Sequence, residues 1–177
     1  MVVLVRGVAI MKLMLVKNRG FTLMELLVVV AVMMILAVLG LSGYLFSIKK
    51  SHDVVRKSDL AAIAKGLEAF ANDFTVYPDD DGAGKIKACG IDSALTACVW
   101  GGEAMKVTIG GKDQTYMVKI PKDPVTGQYY YYTKTTDGFE LYAGLENTSD
   151  PSFKDMGFLC GDVINCSYTL TQAGVKK

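Results

Sequence analysis

Between Phe21 and Ile48 the chain carries a single formally charged side chain, Glu25, in an otherwise apolar run. A carboxylate near the start of such a segment is tolerated in lipid only if it is paired, protonated or able to reach the interface. It therefore favours any assembly that supplies a cation. Immediately upstream, Lys17-Asn18-Arg19-Gly20 sets a basic, glycine-ended stretch against Phe21-Thr22-Leu23-Met24-Glu25. The run that follows is long enough to cross a hydrocarbon core, which needs about 20 residues at ~1.5 Å rise each. A glutamate snorkelling at the end of an ordinary anchor is the bland alternative, and the abutting Gly20-Phe21 junction argues against it.

The remaining reactive side chains point away from catalysis. The single histidine, His52, lies among Lys49, Lys50, Arg56 and Lys57 with no nucleophile or paired acid at a suggestive spacing, and reads as a polar side chain facing water. The four basic residues read as an interfacial anchor beside lipid head groups. Net charge is +1, so no clustered basic surface argues for nucleic acid as a partner. Cys89, Cys98, Cys160 and Cys166 suit an oxidising compartment. Three pairings are open to them; Cys89 with Cys98 and Cys160 with Cys166 are preferred, closing two short loops that each stabilise by about 2–3 kcal/mol if unstrained. A zinc site would need CxxC units, which are missing. Asp79-Asp80-Asp81 lacks the alternating donor spacing of a calcium loop and reads as a solvated acidic turn. Tyr129 to Tyr132 reads as a strand, with alternate rings facing core and solvent. Asn147-Thr148-Ser149 and Asn165-Cys166-Ser167 match the short glycosylation pattern.

Gly20 followed by Phe21-Thr22-Leu23-Met24-Glu25 and an unbroken apolar run resembles the processing site of type IV prepilins and of the type II secretion pseudopilins. The resemblance implies that a membrane-embedded prepilin peptidase cuts after Gly20 and methylates the new amino group of Phe21. It implies that Glu25 then meets the N-terminal amine of a neighbouring subunit. It further implies a structural subunit, not an enzyme: a type IV pilin-like protein assembled into a helical filament through its hydrophobic N-terminal helix. The alternative within the same resemblance is the major pseudopilin of a type II secretion system, forming a periplasmic pseudopilus for protein export. The implied partners are identical or related pilin subunits, the prepilin peptidase, an inner-membrane assembly platform, and membrane lipid before assembly. The implied location is the cytoplasmic membrane, single-pass with the head outside the cytoplasm, then an extracellular pilus or a periplasmic pseudopilus. Asp73-Phe74-Thr75-Val76-Tyr77-Pro78, together with Ile120-Pro121-Lys122-Asp123-Pro124, resembles pseudopilin heads more loosely. No cofactor is expected. In the pseudopilins a loop near the C-terminus binds calcium, and Glu146, Asn147, Asp150 and Asp155 offer oxygens here, but the family's loop spacing is not reproduced. Many fibre-forming pilins carry a disulfide near the C-terminus, so the cysteines tilt the reading toward a pilin outside the cell.

The elements that must position these residues follow from periodicity. Residues 1–20 form the leader, whose starting methionine is Met1, Met11 or Met14; a secretory signal peptide fits poorly because no small-x-small pattern precedes Lys17. Residues 21–48 form the transmembrane and polymerisation helix, and residues 49–76 its amphipathic continuation, with Leu60, Ile63, Ala64, Leu67, Phe70, Ala71 and Phe74 on one face. With no proline between Phe21 and Tyr77, a helix to Phe74 would run roughly 80 Å. Gly40 and Gly43 weaken it by about 1 kcal/mol each relative to alanine. Residues 77–177 form the globular head. Lys106 to Ile109 with Gln114 to Ile120, and Tyr129 to Thr133 with Phe139 to Ala143, are the expected strand pairs. The fold class is therefore α+β, a long N-terminal helix packed against a small antiparallel sheet of three to four strands. The 177 residues leave room for one modest core beside that helix.

Overall fold

A computed structural model of the chain describes residues 20–102 and 104–176, with the backbone alone at residues 40–42. All of the expected leader, residues 1–20, except Gly20, and with it the starting methionine, lies outside the described residues. One helix, α1 (Leu23–Phe74, 52 residues), carries the chain from the apolar segment into the head. The chain divides into two compact units, one ending at Ser42 and the other beginning at Gly43. In the first, Leu23, Met24, Leu26 and Leu27 and the apolar side chains from there to Leu39 are exposed. The helix is long and apolar enough to cross a membrane. Gly43 does not break it, and Ser47 Oγ donates to the Gly43 carbonyl at 2.9 Å across the following turn.

In the second unit, α1 buries the face that its three- and four-residue spacing marks. Leu60, Ile63, Leu67 and Phe70 are almost wholly buried, Ala64 is buried, and Ala71 and Phe74 are half-buried. Each large apolar side chain taken from water contributes about 1.5–3 kcal/mol. Leu60, Ile63, Ala64, Leu67 and Phe70 join a single buried cluster with Met105, Val107, Ile120, Tyr130, Tyr132, Phe139 and Leu141, and Phe74 packs against it. The helix stops at Phe74, where Thr75 takes a left-handed conformation (φ 62°). Glycine usually fills that role, because a Cβ disfavours the region.

The head holds two four-stranded sheets where one sheet of three to four strands was expected. The first runs β2-β1-β3-β4 from β1 (Cys89–Ile91), β2 (Ala94–Thr96), β3 (Met105–Ile109) and β4 (Lys112–Met117). The pair β1 and β3 is parallel, so this sheet is mixed. The second is an antiparallel meander of β5 (Tyr131–Thr135), β6 (Gly138–Ala143), β7 (Tyr168–Thr171) and β8 (Gly174–Lys176). The hairpin across Gly110-Gly111 forms, with both glycines at positive φ. β4 ends at Met117, short of Ile120, which nonetheless enters the core. β5 starts two residues later than the tyrosine run suggests, because Gln128 pairs with Gly161 and the Tyr129 amide bonds the Cys160 carbonyl. Burial alternates along the run as expected: Tyr130 and Tyr132 are inside, while Tyr129 and Tyr131 face outward or half outward. Both buried hydroxyls find acceptors, Tyr130 on Asp59 (2.6 Å) and Tyr132 on the Pro78 carbonyl (2.6 Å).

The C-terminal strands β7 and β8 escaped the sequence reading because they are short and only half apolar, and their partners are β6 and each other. Gly66 is a second feature that periodicity does not reveal. A Cβ there would stand 3.0 Å from the Met105 ε-methyl and 3.2 Å from that of Met117, so the missing side chain lets the helix approach β3 and β4. A Gly66→Leu variant is expected to lose about 1–3 kcal/mol through overpacking. Gly66→Ala should stay near neutral, since the methionine tips can yield and alanine gains about 1 kcal/mol of helix preference. Thermal unfolding of the two variants in detergent checks the pair.

Candidate functional site

Two regions gather the chemistry. At the start of α1, Thr22 Oγ1 accepts the Glu25 amide at 3.2 Å, and the Leu26 amide bonds the Thr22 carbonyl. Thr22 is thus the N-cap of α1, and Thr22-Leu23-Met24-Glu25 has the spacing of a capping box. The glutamate stands in the first turn, where the helix dipole favours negative charge. Phe21 is exposed, and a Cβ at Gly20 would meet no described atom within 4 Å, so packing among the described residues does not demand a glycine there. The signal for this cap in the sequence is the threonine three residues before the glutamate.

The second region is a polar seam where α1 enters the head. Arg56 is fully buried. Its Nε and Nη2 donate to the two oxygens of Asp123 at 2.6 and 2.8 Å, and its Nη1 donates to Asp53 Oδ1 and Glu146 Oε1 at 2.9 Å each. Burial by itself would lower the pKa of this guanidinium, but the carboxylates of Asp123, Asp53 and Glu146 outweigh it and raise it. Asp53 also accepts the backbone amides of Glu146 and Asn147, both at 2.9 Å. The fork orders two loops at once, the turn after Ile120 and the connection between β6 and β7. His52 Nδ1 lies 2.9 Å from Glu146 Oε1, and Lys57 Nζ donates to both oxygens of Asp150 at 2.8 and 2.7 Å.

These contacts correct the lipid-anchor reading. Lys49 and Lys50 are exposed, but Arg56 and Lys57 point into the head, and the His52 ring meets the Glu146 carboxylate where a side chain facing water was expected. The acidic turn is also more than solvated. Asp79 pairs with Lys134, Asp80 accepts the amides of Gly82 and Lys134, and Asp81 accepts those of Ala83 and Lys85. Cys89 is joined to Cys98 and Cys160 to Cys166. The glycosylation pattern at Asn165 ends on a buried Ser167 whose hydroxyl accepts the Leu145 amide.

Residues 15–41 match the family profile described as the prokaryotic N-terminal methylation motif. Over 145 residues the chain is 28% identical to the type II secretion system core protein G of Vibrio cholerae serotype O1, covering 80% of this chain and 91% of that one. Over 139 residues it is 30% identical to the same protein of Pseudomonas aeruginosa, covering 76% of this chain and 90% of that one. The chain belongs to the type II secretion core protein G family. No solved structure gives a significant match. Of the two readings drawn from the processing motif, both rest on a pilin-like structural subunit with an apolar N-terminal helix, and these relatives carry the name of the second.

Within this family member the seam can be tested directly. Arg56→Met is expected to cost about 3–5 kcal/mol, because it leaves Asp53 and Asp123 buried without a cation. Lys50→Met, at an exposed position, should change stability by no more than about 0.5 kcal/mol. Denaturant titration of both variants makes the comparison. For pH, burial would raise the Asp150 carboxyl, but hydrogen bonds from Lys57 and the Ser152 amide hold it below its ordinary value. Lys176 and Tyr142 lower Glu140, and Lys134 lowers Asp79. A depressed carboxyl stabilises fully above its unfolded pKa and loses that contribution as pH falls through the folded one. The thermal midpoint should therefore hold from neutrality to about pH 5 and fall below about pH 4.

Proposed function

We propose that this chain is a processed filament subunit of a type II secretion system. It is stored in the cytoplasmic membrane by residues 21–48 with its head outside the cytoplasm, and is then drawn into a pseudopilus by its N-terminal helix. The observation that carries the reading is the exposed apolar face of the first unit, interrupted by one acid in the first turn of α1. Water cannot cover such a surface, and lipid or copies of the same helix can. The family relatives support the secretion role over a surface fibre. The subunit is structural and carries out no reaction of its own.

In this reading the prepilin peptidase cuts after Gly20, whose missing side chain suits a narrow recognition pocket, and Phe21 receives the N-methyl group. Glu25 pairs with the Phe21 amine of the next subunit, exchanging an isolated carboxylate in lipid for an ion pair between neighbours. Identical or related subunits and an inner-membrane platform complete the assembly. The two disulfides, at Cys89–Cys98 and Cys160–Cys166, suit a head that lives outside the reducing cytoplasm. They favour the surface pilus as the second reading.

Mass spectrometry of the membrane-extracted protein is expected to show a chain beginning with N-methylated Phe21. Overproduced protein should yield filaments by electron microscopy, and Glu25→Ala should abolish them while leaving processing intact. An untrimmed leader with no filaments would overturn the proposal. Loss of exported protein from the medium on deletion would separate secretion from a surface fibre, whose deletion would leave export unchanged.

A further inference from the structure

The β6–β7 connection is the loop in which the family resemblance implies calcium, and its oxygens do not fit a hard divalent ion. Such an ion takes about six to eight oxygen ligands. Here both Asp150 oxygens face the Lys57 ammonium, and Asp150 Oδ1 also accepts the Ser152 amide at 2.9 Å. Glu146 Oε1 is shared by Arg56 and His52, and Asn147 Oδ1 accepts the Ser149 amide. Asp155 is turned toward the Gly157 amide and the Asn165 side chain. Among the described residues no group of three or more acidic, histidine or cysteine side chains is placed to share a metal.

What surrounds Lys57 instead suits an ammonium. Its Nζ stands 5.3 Å from the centre of the Tyr168 ring, a buried aromatic on β7, with the Asp150 carboxylate as its other partner. A π face attracts a soft organic cation and offers a hard ion no oxygen. The Lys57 stem leaves α1 one residue after Arg56, so the same helical turn supplies both cations that tie down the connection.

We propose that the Lys57 ammonium is the resident cation of the β6–β7 connection, covalently part of the chain, and that this head keeps its fold and stability without calcium. The proposal does not depend on which filament the chain builds. The test uses the full chain in detergent micelles, with thermal unfolding recorded in chelator and in excess calcium chloride, and calorimetric titration with calcium alone. The expected result is the same midpoint within about 1 °C in both conditions and no saturable calcium binding. Lys57→Met should lower the midpoint by roughly 2–4 °C, and Lys57→Arg should retain most of it. A wild-type midpoint that falls in chelator, or a saturable calcium isotherm, would overturn the proposal. Should the methionine variant fail to fold, the wild-type comparison decides alone.

Discussion

The buried guanidinium of Arg56 is the constraint around which the head is arranged. Its planar fork meets Asp123 in two parallel hydrogen bonds, a geometry that an ammonium cannot reproduce. Such a cluster is weak evidence for net stability, because removing charges from water costs several kcal/mol per ion. Its value lies in specification. The fork ties the turn after Ile120 and the β6–β7 connection to the same helical turn, and Asp53 adds to this by accepting two backbone amides from that connection. An alternative packing of either loop would strand a charge in the interior.

Around that seam, each element answers a demand created by another. The apolar face of α1 needs a cover, and the core residues of both sheets join it in one buried cluster. Gly66 permits close approach to β3 and β4, and Phe70 packs edge-on to Tyr116 of β4 with ring centres 5.3 Å apart. The tyrosine run supplies large side chains whose hydroxyls reach Asp59 and the Pro78 carbonyl, so the interior holds polar atoms with partners. Burial and the bond to Asp59 push the Tyr130 hydroxyl pKa up, while burial raises Asp59 despite the hydroxyl that it accepts. The first unit follows a different rule. Among the described residues its apolar side chains are exposed and belong to no buried cluster.

The sequence is legible where its signal is local and periodic. The extent of α1, its buried face, the hairpin at Gly110-Gly111 and the inward members of the tyrosine run all follow from spacing. It fell short for β1, β2, β7 and β8, which have three or four residues each and acquire strand character from their neighbours. The basic cluster after the apolar run shows the same limit in another form. Lys49, Lys50, Arg56 and Lys57 look alike as text, yet two stay at the surface and two are drawn inward.

By itself the sequence determined that this protein has a membrane-length apolar helix with one acid at its start, an amphipathic continuation, and a head built on strands. These properties depend on residues within a turn or two of one another, and hydrophobicity and helical period encode them directly. Tertiary structure alone decided which cations are structural. Arg56 meets carboxylates 67 and 90 residues away in the chain, and Lys57 one that is 93 residues away. Whether a charge faces solvent or a buried partner depends on which loops converge on its side of the helix, and local pattern carries no record of that convergence.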